Sequence, residues 1–136
     1  MIYFIDSNVF FYAKMMDRDY GSACAEIMRK IVRREIRVIT SVLVVIEFAN
    51  ALRKYGLSKE IKESIGGVYS LNISIYEVDS IDVRSAIDFF NEFLISPYDC
   101  THLAIMKKAG VSNIISADKD FDKVDWIKRS DPKFVK

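Results

Sequence analysis

The chain has 136 residues, of which 51% are hydrophobic and 29% are charged, and it includes 9 Phe and 7 Tyr. This length and composition predict one globular domain over residues 1–136 and exclude a disordered chain. The net charge of +1 excludes no class of partner, because binding depends on where charges lie.

Hydropathy and cysteine usage indicate the cellular compartment in which the protein is expected. No apolar run approaches the roughly 18 residues that span a bilayer, and Asp6 interrupts the first apolar stretch before it reaches the length of a signal sequence. Cys24 and Cys100 lack the paired spacing of a zinc site or a disulfide framework. We therefore expect a cytoplasmic protein that makes no membrane contact.

The first half of the chain alternates between strand and helix patterns. The wholly apolar run over 2–5 predicts a central parallel strand covered on both faces. Four further elements follow: a short helix over 9–15 capped by Ser7 or Asn8, a helix over 20–34, a strand over 37–40, and a helix from Ser41 to a C-cap at Gly56. Ser58 predicts another helix start, and Gly66-Gly67 either end that helix or weaken it.

The second half continues the alternation. The pattern predicts an edge strand over 73–78, a helix from Asp79 or Ser80 to Leu94, and a strongly signalled helix start at Ser96-Pro97. That helix runs to Gly110 and precedes a strand over 113–116, an acidic loop over 118–122 and a short strand over 126–127. This order predicts an α/β sandwich with a parallel sheet and right-handed crossovers.

Four carboxylates stand out from this pattern. Asp6 and Asp118 follow apolar strands, Glu47 lies inside an apolar helix, and Asp99 lies in the first turn of a helix. Sites of open α/β sheets form at the carboxyl ends of the strands, which is where Asp6 and Asp118 are expected. A buried carboxylate must be neutralised, paired or bound to a metal. The four together predict a metal site.

Each carboxylate also has an ordinary structural explanation. Asp6 can cap a helix, although Ser7 and Asn8 can do so in its place. Glu47 can form a buried salt bridge with an Arg or Lys. Asp99 is favoured by the helix dipole in any case, and Asp118 can lie in a solvated loop. The prediction depends on the four residues as a set.

The blocks that carry these carboxylates resemble the PIN-domain family, and in particular the VapC-type toxin ribonucleases. The opening Ile5-Asp6-Ser7-Asn8-Val9 is followed in order by three further blocks that match the family: Ser41 to Leu52 with Glu47 and Asn50, Tyr98-Asp99-Cys100-Thr101-His102-Leu103-Ala104, and Ile114-Ile115-Ser116-Ala117-Asp118-Lys119-Asp120-Phe121. The resemblance covers nearly the whole chain and implies a three-layer α/β/α sandwich with a parallel central sheet.

The resemblance also implies an activity and a site. The implied activity is Mg²⁺- or Mn²⁺-dependent cleavage of RNA, with Asp6, Glu47, Asp99 and Asp118 as the acidic site and Asp6 and Asp99 as its most direct ligands. Oxygen ligands suit these hard cations better than zinc. Further implied features are a homodimer and a VapB-like antitoxin that covers the cleft.

Other side chains are assigned supporting roles. We expect Asn8, Asn50 and Ser116 to support the ligands; Ser116 stands where the family often has Thr and keeps its hydroxyl. Asp122 either supports the ligands from behind or is simply exposed. His102, near Asp99 on one helix face, is a general acid, a ligand or a hydrogen-bonding core residue. The candidate contacts to RNA phosphates are basic: Lys14, Arg53, Lys54, Lys107, Lys119 and Lys123.

Two other classes of protein compete with the nuclease. A PIN-like RNA-processing or RNA-binding module with little or no cleavage needs no intact acidic set. A phosphatase that uses Asp6 as nucleophile usually has a second acid two residues on, where this chain has Asn8. The intact set of four carboxylates favours the nuclease.

Overall fold

The structure, a computed structural model, describes residues 1–136 and contains one five-stranded sheet. The strands are β1 (Ile2–Ile5), β2 (Arg37–Ser41), β3 (Ser74–Tyr76), β4 (Asn113–Ile115) and β5 (Lys128–Ser130). All pairs are parallel and the order is β3-β2-β1-β4-β5. The central position of β1 explains its uniformly apolar sequence, since both faces of a parallel sheet are covered.

Six helices connect the strands. They are α1 (Ser7–Met15), α2 (Gly21–Val32), α3 (Val42–Lys54), α4 (Ile61–Ser70), α5 (Ser80–Phe93) and α6 (Pro97–Ala109). None of them has the combination of length and apolar character needed to cross a membrane.

The helices divide into two groups. Helix α1 packs on α2 and α3, and α3 packs on α4, whereas α5 packs on α6. Right-handed crossovers from β1 to β2 and from β2 to β3 put the first group on one face, and the return from β3 to β4 puts the second group on the other. The predicted α/β sandwich with a parallel sheet is confirmed. Its core includes the fully buried Phe4, Ile5, Ile114 and Ile115 of the two central strands.

Several helix ends follow the chemistry of their sequence. Ser41 Oγ accepts a hydrogen bond from Val44 N at the start of α3, and Ser96 Oγ accepts one from Asp99 N at the start of α6. Helix α6 ends at Gly110, whose φ of +70° lies in the left-handed region. These helix starts and the Gly110 stop agree with the prediction.

Other local predictions are wrong or incomplete. The last strand lies at Lys128–Ser130 and not over 126–127, and the acidic loop contains a 3₁₀ helix over Lys119–Lys123. Helix α4 continues through both glycines at 66 and 67. Helix α3 is not buried all round, because Ile46 is 64% exposed. One face of α3 is therefore open to solvent.

The order of the strands positions the site. The chain leaves β1 in one direction towards β2 and β3, and returns to the other side of β1 at β4. The boundary between β1 and β4 is thus the topological switch point, where a crevice opens beyond the carboxyl ends of the strands. Asp6 follows β1 directly, and Ser116 follows β4 directly.

Candidate metal centre

Asp6 is almost completely buried and is held by hydrogen bonds at both oxygens. Its Oδ1 accepts a bond of 2.8 Å from Ser7 N, and its Oδ2 accepts bonds from Ser116 Oγ at 2.6 Å and Asn8 Nδ2 at 3.1 Å. Asp6 is therefore the N-cap of α1, which corrects the expectation that Ser7 or Asn8 caps this helix. Capping and facing the crevice are compatible, because the carboxylate has two oxygens.

Ser116 connects the first strand end to the second. Besides donating to Asp6, its buried Oγ accepts bonds from Asn8 Nδ2 at 3.0 Å and from Asp118 N at 3.0 Å. Asn8 Oδ1 in turn accepts a bond of 3.2 Å from Ala117 N. One hydroxyl and one amide thus tie the turn after β1 to the turn after β4. Every polar atom in this network has a partner, which makes it rigid.

Glu47 meets a histidine and not an Arg or Lys. Its Oε1 lies 2.7 Å from Nε2 of His102 on α6, and the same nitrogen is 3.9 Å from Oδ1 of Asp6. His102 is fully buried and its Nδ1 has no hydrogen-bond partner. Burial lowers the pKa of His102, but the hydrogen bond to Glu47 and the charges of Asp6, Glu47 and Asp99 outweigh burial and raise it above its usual value.

Asp99 is held differently. It lies in the first turn of α6 and is 9% exposed, and its carboxylate oxygens accept no hydrogen bond from the protein. Burial raises the pKa of Asp99 to about 7, with further contributions from the charges of Asp6, Asp118 and Glu47, which the positive charge of His102 partly offsets. The four predicted carboxylates therefore lie close enough to repel one another.

The possible ligand atoms form two groups. Oxygen and nitrogen atoms of Asp6, Glu47 and His102 lie within 4.8 Å of one another, and so do oxygens of Asp99, Asp118 and Asp120. Sequence reasoning did not select Asp120 as a candidate ligand. Its position two residues after Asp118 was a signal, because Asp118 Oδ1 accepts a bond from Asp120 N and so folds that segment back on itself.

Two predicted supporting residues, Asp122 and Asn50, form hydrogen bonds with arginines and none with the four carboxylates, although Asn50 lines the same cavity as Glu47. Asp122 is 55% exposed at its side chain and forms a two-bond ion pair with Arg129, at 2.9 and 3.1 Å. Asn50 is exposed, and its Oδ1 accepts bonds from the guanidinium of Arg53 at 2.9 and 3.1 Å. Both side chains are thus engaged by cations on the surface and contribute no contact to the carboxylates.

The predicted basic residues differ in whether their side chains are engaged by neighbouring residues. Lys54 lines the same cavity as Glu47 and forms no ion pair. Lys119 directly follows Asp118 and lines a separate cavity with β5. The remaining four are held by neighbours: Lys14 by Glu60 at 2.9 Å, Arg53 by Asn50, Lys123 by Asp120 at 3.3 Å, and Lys107 over the rings of Phe89 and Trp126.

The residues present fit a hard divalent cation. Asp6, Glu47, Asp99 and Asp118 form no ion pair with any Lys or Arg, so His102 is the one basic side chain that offsets their charge. Oxygen-rich donor sets of this kind suit Mg²⁺ and Mn²⁺, and Mn²⁺ also accepts imidazole. A bound cation would offset both the burial and the repulsion that raise the pKa of Asp99.

Solved structures share this fold. The chain superposes on the Mycobacterium tuberculosis VapC20, described as a sarcin-ricin loop cleaving toxin, with a TM-score of 0.77 and 18% identity over 93% of this chain and 97% of that one. The DNA-bound VapBC of Salmonella typhimurium gives a TM-score of 0.71 with 16% identity, covering 97% and 99%. VapBC2 of Rickettsia felis, bound to a promoter fragment, gives 0.70 with 14% identity, covering 96% and 98%.

Sequence comparison identifies the family. No curated protein matches the chain at a significant level of sequence similarity. The sequence profile of the PIN domain, however, matches residues 3–127. This range contains β2, β3, β4 and all of β1 except its first residue, and it ends just before β5. It includes every carboxylate of the two ligand groups. The chain therefore belongs to the PIN domain family.

Proposed function

We propose that this protein is a metal-dependent endoribonuclease of the VapC type, which hydrolyses RNA phosphodiester bonds at the site formed by Asp6, Glu47, Asp99 and Asp118. The observation that carries the proposal is the concentration of these carboxylates at the β1–β4 switch point without a Lys or Arg to neutralise them. The membership of the PIN domain family and the VapC and VapBC structural neighbours support the same activity.

The side chains have distinct tasks in this proposal. Asp6 and Asp99 hold the cation most directly, and Asp118 and Glu47 complete its shell or orient the attacking water. A bound Mg²⁺ or Mn²⁺ supplies charge stabilisation at the scissile phosphate and makes water a better nucleophile. Ser116 and Asn8 hold Asp6 in one orientation through their bonds of 2.6 and 3.1 Å. His102 holds Glu47 through its bond of 2.7 Å.

The test is cleavage of a stem-loop RNA by the purified protein with Mg²⁺, with Mn²⁺ and with EDTA, beside Asp99→Asn. A stem-loop is the first substrate because one neighbour is described as cleaving the sarcin-ricin loop. We expect metal-dependent cleavage that Asp99→Asn abolishes. Cleavage that persists in EDTA would refute the metal site. RNA binding without cleavage under every condition would favour the alternative, an RNA-binding PIN-like module.

We further propose a VapB-like antitoxin as partner, since several neighbours are toxin–antitoxin complexes. Expression of the wild-type chain alone should arrest growth, and expression of Asp99→Asn should not. Co-expression of the product of an adjacent small open reading frame should restore growth and yield a complex that copurifies. Growth arrest by Asp99→Asn as strong as that by wild type would argue against a toxic nuclease.

A homodimer is the second proposed assembly, and α5 supports it. Val83, Ile87 and Phe90 are 47%, 53% and 38% exposed and lie on one face of the helix, and Leu94, which is 72% exposed, directly follows its last residue. Their spacings of four, three and four read the same in both directions, so two antiparallel copies of α5 match across a two-fold axis. Leu94→Arg should shift the protein to a monomer in sedimentation, whereas Ile81→Arg, on the opposite side of α5, should not.

A further inference from the structure

A cavity of about 510 Å³ adjoins the carboxylates, between the exposed face of α3 and the start of α6. Its lining includes Glu47, one of the four carboxylates, and Ser7, the neighbour of Asp6, so it adjoins the candidate metal centre. Its volume falls within the range of about 300–1,000 Å³ that is usual for ligand sites in proteins. A phosphate bound at the carboxylates would have this cavity beside it.

Two tyrosines line this cavity without being part of the core. Tyr55, at the end of α3, is 65% exposed, and Tyr98, at the start of α6, is 60% exposed. Phe11 braces the Tyr55 ring, with centroids 4.9 Å apart. Tyr98 is held by its backbone between Pro97, at the first position of α6, and the carboxylate-bearing Asp99. Both rings are thus largely free to contact a ligand, and that of Tyr55 is also supported by Phe11.

The cavity also contains an uncommitted cation. Lys54 lines it and forms no ion pair, whereas its neighbour Arg53 is engaged by Asn50 at 2.9 Å. Lys54 lies on α3 seven residues after Glu47, about two helical turns away and on the same side of the helix. An ammonium at this distance from a metal-binding carboxylate is placed to contact a neighbouring phosphate of a nucleic-acid strand.

We infer that this cavity binds an unpaired nucleotide next to the phosphate held at the carboxylates, with Tyr55 and Tyr98 contacting the base and Lys54 contacting a phosphate. The inference rests on the proposed ribonuclease function and adds to it the residues of this chain that contact the nucleotide beside the phosphate. Aromatic side chains recognise unstacked bases of this kind, whereas the bases of a continuous duplex are already stacked. Contact with the metal centre and a free cation favour a nucleotide over a protein segment.

The test measures binding without cleavage. Fluorescence anisotropy of a labelled oligouridylate is recorded on the wild-type background with Ca²⁺, another cation that takes oxygen ligands, in place of Mg²⁺, and a gel checks that the RNA stays intact. In that background Tyr98→Ala and Tyr55→Ala should each weaken binding about 5- to 150-fold, which corresponds to the loss of one stacking contact. Tyr98→Phe should bind normally. An oligonucleotide with abasic sites should bind weakly and respond little to Tyr98→Ala.

Matched control variants come from α4. Tyr69 is 57% exposed and lies outside the cavity, so Tyr69→Ala should leave binding unchanged. Lys54→Gln should reduce the slope of log K against log salt by about 0.7, the value for one phosphate contact with a single strand, and Lys62→Gln should not. Unchanged binding in both tyrosine variants would overturn the inference, as would binding too weak to measure in the wild-type protein with Ca²⁺.

Two other outcomes separate this inference from its alternatives. A change in sedimentation of Tyr98→Ala, with RNA binding intact, would assign the cavity to a protein interface and overturn the inference. Wild-type protein that binds RNA through the tyrosines but never cleaves it would support the cavity and refute the nuclease. Because binding is read without cleavage, the two proposals fail independently.

Discussion

Asp6 and Asp99 belong to the two groups of possible ligands and are near enough for the charge of Asp6 to help raise the pKa of Asp99, yet the protein holds them in opposite ways. Asp6 accepts three hydrogen bonds, from Ser7 N, Asn8 Nδ2 and Ser116 Oγ. Asp99 accepts none, and its pKa is raised to about 7. The turn after β1 therefore provides a rigid wall of the site, whereas the start of α6 provides a carboxylate whose charge has no partner in the protein itself.

The difference in hydrogen bonding between Asp6 and Asp99 means that one carboxylate stabilises the fold and the other does not. A carboxylate with three hydrogen bonds stabilises the folded chain, because charge-assisted bonds contribute more than neutral ones. A buried carboxylate without such bonds destabilises the folded chain when it is ionised. Capping explains Asp6 in part, whereas the helix dipole that favours Asp99 does not offset its burial, since the pKa of Asp99 is still raised. Asp99 is thus the stronger single argument for a cation.

The largest expected effect is opposite stability changes in two equivalent substitutions. Asp6→Asn should lower the free energy of unfolding of the metal-free protein by about 1.5–3 kcal/mol, since it disrupts bonds to a charged group. Asp99→Asn should raise the melting temperature at pH 8, because it removes an unpaired buried charge. Both should abolish Mn²⁺ binding in calorimetry. Loss of stability in both variants would show that the protein does not hold Asp6 and Asp99 in opposite ways.

The pH dependence of stability should also distinguish wild type from Asp99→Asn. A carboxyl whose pKa is raised from 3.8 to about 7 on folding contributes stability that is fully present below pH 3.8 and is lost as the pH rises through about 7. Wild type should therefore lose stability relative to Asp99→Asn over this interval when metal is absent. Equal pH profiles of the two proteins in thermal unfolding would contradict this.

Metal affinity should show the reverse trend with pH. The cation must displace the proton from Asp99, so the Mn²⁺ association constant should fall by about tenfold per pH unit below pH 7 and level off above it. Calorimetry in two buffers of different ionisation enthalpy should detect about one proton released per ion at pH 6. Affinity that stays constant from pH 5 to 8 would exclude Asp99 as a direct ligand.

His102 offers an intermediate effect with a matched pair of variants. In His102→Gln the amide nitrogen takes the place of Nε2 and can donate to Glu47, whereas in His102→Asn the amide lies at the level of Nδ1, which has no partner. Removal of a bond that orients a ligand typically costs 10- to 100-fold in metal affinity. We expect this loss for Asn and near wild-type Mn²⁺ affinity for Gln. Equal losses in both variants would contradict the role of His102 in orienting Glu47.

The smallest change in stability is expected for substitutions of Ser116, whose hydroxyl donates a hydrogen bond to Asp6. Ser116→Ala removes the hydroxyl that joins Asp6 to Asp118 N and should cost about 1–2 kcal/mol of stability. Ser116→Thr should keep the bonds and the Mn²⁺ affinity. Asp122→Asn is the surface control: its exposed pair with Arg129 should contribute less than about 1 kcal/mol and leave metal affinity unchanged. A larger effect of Asp122→Asn than of Ser116→Ala would reverse this ranking.

The predicted elements differed in how well their local signals determined them. Helix α6 follows from Ser96, Pro97 and Gly110, each of which satisfies a local requirement of a helix end. The last strand shows the opposite case. The apolar pair Trp126-Ile127 predicts a strand, but β5 is formed by the polar residues Lys128–Ser130 that follow it. An edge strand is defined by its partner, here β4, and polar edge residues carry little periodic signal.

The sequence by itself determined the alternation of strands and helices, and hence the parallel sheet and the edge of it where Asp6 and Asp118 lie. It also indicated which carboxylates are costly to bury. Only the tertiary structure decided their partners: His102 for Glu47, Ser116 for Asp6, Arg129 for Asp122, and no hydrogen bond for the Asp99 carboxylate. Periodicity and capping act over a few residues, whereas these contacts join residues up to 110 positions apart. Their formation depends on the order of the strands, which brings Glu47 of α3 and His102 of α6 to the same crevice.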